Sequence, residues 1–172
     1  MLVEIGTHLG YAYALSGRMA EALPLLEEAV EQSVACGFRA MQSRRVAHLS
    51  EAYLLAGRPE DAAACALRAL ALSHDFKERG HEGWTLRLLG DISASATPTD
   101  PALAESYYHQ ALALAEELEM RPLAAQCHLG LGTLYRRAGS RERANAELAE
   151  AASMYQALEM PLWIARTDTA LA

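Results

Sequence analysis

The sequence predicts an all-α solenoid of antiparallel helical hairpins, about four hairpins followed by one C-terminal helix. Three observations predict it. Alanine and leucine dominate, β-branched residues are scarce and only 6% of the 172 residues are aromatic, a balance that favours helix because Ala and Leu lose little entropy there. The chain also repeats itself: "HLGYAYALSGRMAEAL", His8 to Leu23, returns as "HLSEAYLLAGRPEDAA", His48 to Ala63. Finally, Leu9-Gly10 recurs as Leu49-Ser50, Leu89-Gly90 and Leu131-Gly132, at offsets of 40, 40 and 42 residues, the last lengthened by "SASATPTDPA" from Ser93 to Ala102. One hairpin cannot bury its own apolar face, but a stack of three or more closes a continuous core.

Each repeat divides into an A helix and a B helix. The first A helix covers roughly residues 2–15 and is broken by Gly17; its B helix runs from about Met19 to Cys36 and stops at Gly37. Gly57 and Gly139 repeat the break. Pro59 stands where a first helical turn begins, and Asp100-Pro101 reads as N-cap and first helical residue. Pro122 and Pro161 open A helices after two copies of "LEM", Leu118–Met120 and Leu158–Met160. In the B helices Ala22, Leu26 and Ala29 recur as Ala62, Ala66 and Ala69, as Ala104, Tyr108 and Ala111, and as Ala144, Leu148 and Ala151. That spacing places each triplet on one helix face. The result is a single domain over 1–172, with repeats at about 2–37, 38–76, 80–119 and 121–159 and a capping or partial-repeat helix at 161–171. Trp163 and Ile164 are expected to cover the end of the fourth repeat.

Charge and motifs narrow the function. A net charge of −7 without a long Lys/Arg stripe argues against nucleic acid, which needs cations to displace counterions. No apolar run approaches the roughly 20 residues of a membrane span, and the start lacks a basic leader, so a cytoplasmic location and no membrane contact are expected. Cys36, Cys65 and Cys127 are odd in number and widely spaced, and read as small buried apolar residues in a reducing compartment. No phosphate loop, dinucleotide fingerprint or nucleophile turn occurs, so the chain is expected not to be an enzyme and to carry no cofactor. "LGLGTL", Leu129 to Leu134, holds a G-x-G inside a helical pattern and reads as helix packing. The six histidines make no metal-ligand pattern; Glu105 and His109 read as a surface pair. "RRAGSRER", Arg136 to Arg143, reads as a solvated turn.

L-G-x-x-Y in the A helix, as Leu9-Gly10 to Tyr13 and Leu131-Gly132 to Tyr135, followed by A-x-x-x-[L/Y]-x-x-A in the B helix, resembles the tetratricopeptide repeat family over nearly the whole chain. The repeat is about six residues longer than the usual 34, so HEAT-like repeats are the alternative. The stretch from Ala111 to Gly139 is also similar to tetratricopeptide tails of large bacterial regulators that carry an ATPase or cyclase module. The resemblance implies a right-handed superhelix whose A helices line a concave groove. It further implies that residues six and three before the motif glycine, and one and four after it, face inward. Among these, Glu4, Tyr11, Arg44, Glu51, Trp84, Arg87, Asp91, Gln126, Thr133 and Arg136 form the candidate partner-binding set, with Arg44, Trp84, Arg87 and Arg136 expected as neighbours along one surface. Arg and Trp are enriched in binding hot spots, and Arg grips carboxylates through two donors. The expected function is a non-catalytic scaffold for a peptide or protein segment. The alternative is a ligand- or domain-sensing segment of a larger signalling or transcription protein. A homodimer through the exposed ends of the stack is a further expectation.

Overall fold

The computed structural model describes residues 2–37, 39–96 and 100–171, and among these the regular structure is nine α-helices. They are α1 (Leu2–Leu15), α2 (Met19–Ala35), α3 (Gln42–Leu55), α4 (Pro59–Asp75), α5 (Arg79–Ser95), α6 (Pro101–Glu117), α7 (Arg121–Arg137), α8 (Arg141–Ala157) and α9 (Pro161–Leu171). Odd-numbered helices are A helices and even-numbered ones B helices. The chain forms two compact units, Met1–Leu88 and Leu89–Ala172, and the division falls inside α5. In the first unit α1 packs on α2 and α3, α2 on α3, and α3 on α4. In the second, α6 packs on α7, α7 on α8, and α8 on α9.

Helix ends follow the local chemistry. Gly17, Gly57 and Gly139 take the left-handed conformation at φ +76°, +73° and +78°, which carries no steric penalty without a Cβ. The residue after each glycine then donates its N–H to the carbonyl of a tyrosine five residues earlier: Arg18 to Tyr13, Arg58 to Tyr53 and Ser140 to Tyr135, each at 2.9 Å. Between repeats the same turn is made by Lys77, Glu119 and Glu159 at φ 53–55°, so "LEM" is a helix-ending motif with glutamate at the left-handed position. Asp100 caps α6 by accepting from the Leu103 N–H at 3.0 Å. The centre of the insertion, residues 97–99, lies outside the described residues.

All four B-helix triplets are buried. The A helices approach them closely at the repeated small residue. A Cβ added to Gly132 would sit 2.6 Å from Leu148 Cγ and 3.2 Å from the Ala144 carbonyl oxygen; at Gly10 the corresponding contacts are Leu26 Cγ at 2.9 Å and the Ala22 oxygen at 3.2 Å. Ser50 fits the same place because its hydroxyl donates to the Ala62 carbonyl at 2.7 Å. Gly130 and Gly90 both border the ring of Tyr108, with added Cβ atoms 2.5 and 2.7 Å away, so the G-x-G of α7 serves packing. Trp163 of α9 stacks on Tyr155, and Ile164 packs against the cluster of Ala125, Ala151 and Tyr155. One expectation, the burial of the three cysteines, needs correction. Cys36 is exposed because it forms the C-cap of α2, beyond the buried stripe, whereas Cys127 is buried and Cys65 half-buried. Leu9 is exposed, unlike its counterparts Leu49, Leu89 and Leu131.

Candidate partner-binding face

The first unit brings six of the candidate residues together. Glu4 of α1 accepts from Arg44 of α3 at 3.3 Å and also from the neighbouring Arg45. Tyr11 of α1 donates to Glu51 of α3 at 2.8 Å. Arg87 of α5 reaches the other oxygen of Glu51 at 3.5 Å and lies 5.9 Å from the centroid of the Trp84 ring. The six side chains therefore join three successive A helices through alternating charges, and all are half-buried. Thr7, three before the motif glycine, is fully buried and donates to the Val3 carbonyl at 2.8 Å.

Two residues complete this network that the repeat pattern did not single out for it. Arg45 is 0% exposed, yet charged; it bonds Glu4 and donates to the Ala40 carbonyl at 2.6 Å, which offsets the cost of burying its charge. His48 stacks on Tyr11 with ring centroids 3.9 Å apart and planes within 6°. Burial lowers the His48 pKa to about 4, opposed by Glu51 and assisted by Arg44, His8 and His81. Burial and then the Glu51 carboxylate raise the Tyr11 phenol well above its ordinary value. Nδ1 of His48 and Nε of Arg44 are buried with no hydrogen-bond partner among the described residues. A second polar cluster, Ser43, Glu78 and His81, ties α3 to the start of α5, with Ser43 bonded to Glu78 and 3.3 Å from His81 Nδ1. His8, which recurs as His48 at a period of forty, is exposed beside Glu4 and does not share the stack, and nothing in the pattern signalled Arg45, whose counterparts are Ile5, Thr85 and Cys127.

The remaining candidates belong to the second unit. Asp91 of α5 accepts from the Tyr108 hydroxyl at 2.6 Å, which fixes the ring that Gly90 and Gly130 accommodate. Gln126 is half-buried. Thr133 turns its hydroxyl back to the Leu129 carbonyl at 2.8 Å. Arg136 is exposed at the end of α7. The basic turn is pinned in part: Arg143 donates to Glu105 at 2.6 Å and lies 3.8 Å from the centroid of the Tyr135 ring, and Arg137 donates to the Ala94 carbonyl at 3.1 Å. Hydrogen bonds from Tyr135 and Arg143 hold the Glu105 carboxyl below the usual range. Among the described residues no group of three or more His, Cys, Asp or Glu is placed to hold a metal ion, and no helix is long and apolar enough to cross a membrane.

No family model matches the chain, and no curated protein sequence matches it. Solved structures do. Aspartyl phosphate phosphatase F from Bacillus subtilis superposes with a TM-score of 0.82 at 15% identity, over 98% of this chain and 44% of that one. A Rap protein complexed with competence and sporulation factor gives 0.83 at 15%, over 96% and 46%. A signal transduction ATPase with numerous domains and a tetratricopeptide repeat sensor, from Pyrococcus horikoshii, gives 0.78 at 19%, over 98% and 26%. The fold is that of the tetratricopeptide-like helical repeats. The chain spans less than half the length of each of these three proteins. α1, α3 and the first part of α5 carry the polar network of the first unit.

Proposed function

We propose that this tetratricopeptide-like chain is a non-catalytic, cytoplasmic scaffold that binds a protein or peptide segment along the inner face of α1, α3 and the first part of α5. The supporting observation is the half-buried row of Glu4, Tyr11, Arg44, Glu51, Trp84 and Arg87. The Arg44–Glu4 ion pair is long, 3.3 Å, so an incoming carboxylate can exchange with Glu4 on Arg44 without loss of a short bond. Trp84 adds apolar contact beside the charge. Asp91, Gln126, Thr133 and Arg136 are the candidate contacts of the second unit, taken by itself. The chain's acidity disfavours nucleic acid as the partner. The likeness to a Rap protein solved with competence and sporulation factor agrees with a bound partner.

Selection of a random displayed peptide library on the immobilised chain tests this reading. Enrichment of sequences pairing an acidic residue with an aromatic or aliphatic one is expected, and its loss with Arg44→Ala, Arg87→Ala. No enrichment, or enrichment that survives the double change, overturns it. A second reading, a sensing segment within a larger signalling protein, is favoured by the likeness to the ATPase with a tetratricopeptide repeat sensor. It predicts selective binding of a small molecule, seen as a ligand-dependent rise in melting temperature that Arg44→Ala, Arg87→Ala removes.

A further inference from the structure

We propose that the turn between α7 and α8 is a docking surface for an acidic segment of another protein, gripped by the guanidinium groups of Arg136 and Arg141 with Arg137 beside them. Two other turns within hairpins show that the fold does not need this charge. The turns at Gly17, Gly57 and Gly139 share one backbone geometry, with the glycine at φ +76°, +73° and +78° and the same 2.9 Å bond back to a tyrosine carbonyl. In the first, Arg18 pairs with Glu21 at 2.8 Å; in the second, Arg58 pairs with Asp61 at 2.7 Å. Residues 14–21 are thus neutral and residues 54–61 carry −1, whereas residues 136–143 set four arginines against Glu142 alone, a net +3. The stretch also stands apart from its own unit. It holds four of the six arginines of the second unit, and the rest of that unit carries a net −8.

Contacts within the fold account for two of the four. Arg143 bonds Glu105 and covers the Tyr135 ring, as Arg18 covers Tyr13 and Arg58 covers Tyr53. Arg137 donates to the Ala94 carbonyl at 3.1 Å while remaining exposed. Arg136 and Arg141 are exposed, and among the described residues their side chains make no hydrogen bond or ion pair. Arg141 also opens α8, where the helix dipole disfavours a cation; the first turns of α2 and α4 carry Glu21 and Glu60 with Asp61 instead. Cations crowded on one turn repel each other, so a bound anion relieves that repulsion as well as the conflict with the dipole. Guanidinium forks match carboxylates. A nucleic-acid strand needs a longer track of cations than one turn supplies, and the acidic remainder of the unit repels its flanking phosphates. A short run of Asp or Glu fits the footprint. The assignment does not depend on the reading of α1, α3 and α5 as a binding face.

The test titrates fluorescein-labelled hexaglutamate, at low ionic strength, into the full chain carrying Arg44→Ala with Arg87→Ala, so that the first-unit face does not contribute. Binding is expected, and its absence overturns the proposal. Adding Arg136→Gln with Arg141→Gln should weaken binding at least about fivefold. Adding Arg68→Gln with Arg121→Gln instead removes the same charge from two other exposed arginines and should leave binding unchanged. Equal losses from the two pairs, or no loss from Arg136→Gln with Arg141→Gln, overturn the proposal. The Arg136→Gln, Arg141→Gln chain should melt no lower than its parent by circular dichroism; a lower melting temperature assigns the two arginines to the fold and overturns it. Oligothymidylate that displaces the probe more effectively than unlabelled hexaglutamate overturns the choice of an acidic protein segment. Light scattering of the unmodified chain gives the last outcome: a dimer that Arg136→Gln with Arg141→Gln dissociates assigns the turn to a second copy and overturns the choice of a separate partner.

Discussion

Gly6 and Gly130 are both mid-helix glycines, but their surroundings give substitution opposite signs. A Cβ at Gly6 meets Ala29 and the Leu25 oxygen at 3.9 Å, an ordinary contact, so Gly6→Ala gains helix propensity and should stabilise by up to about 1 kcal/mol. A Cβ at Gly130 meets the Tyr108 ring at 2.5 Å, and that ring is pinned by its bond to Asp91. Overpacking costs roughly 1–3 kcal/mol, so Gly130→Ala should destabilise despite the gain in propensity. Urea midpoints of the two variants check both signs. His48 gives a pH dependence. Its pKa is about 4 in the fold against 6.5 for an unperturbed histidine, so between these values the unfolded chain binds a proton that the folded chain does not. Stability therefore falls as pH drops from 6.5 to 4 and this contribution is flat below, with a total of about 3 kcal/mol. His48→Gln should remove that slope, and urea titrations across the window in both chains measure it.

At the scale of elements, helix ends were legible wherever the residue type itself enforces a backbone. Glycine at 17, 57 and 139 and proline at 59 and 101 stop or start helices at their expected places. The ends at Lys77, Glu119 and Glu159 were less legible, because non-glycine residues carry the left-handed conformation at a cost of roughly 1–2 kcal/mol that tertiary packing offsets. Met160, which follows Glu159, packs against the Ala125–Ala151–Tyr155 cluster and is one such compensation. Glu159→Gly should relieve the strain and raise the melting temperature, whereas Met160→Ala should lower it; calorimetry of the two variants distinguishes a strained turn from an unstrained one. The candidate face was legible as a register of positions, since the spacing from the motif glycine is fixed by helix geometry. Its pairing was not. Arg45, His48 and the Glu4–Arg44 bond depend on contacts between helices some forty residues apart, and helical periodicity carries no information on which charge meets which.

For the molecule as a whole, repetition is the feature that ties sequence to fold and fold to function. Hairpins reuse one small-residue contact between their A and B helices, as at Gly10, Ser50 and Gly132. No glycine- or proline-rich linker marks the boundary between the two compact units, because it falls within the continuous helix α5. Solved structures at 15–19% identity share this fold, so the fold tolerates change at most positions. The proposed function rests on the polar residues of α1, α3 and the first part of α5. The most direct measurement is calorimetric titration of a display-selected acidic peptide into the native chain and into the Arg44→Ala, Arg87→Ala chain, with circular dichroism to verify that both are folded. A hydrogen bond to a charged group contributes roughly 1.5 kcal/mol or more, so losing both arginines should weaken binding at least about a hundredfold. Equal affinity for the two folded chains would contradict the assignment of the α1–α3–α5 face as the binding surface.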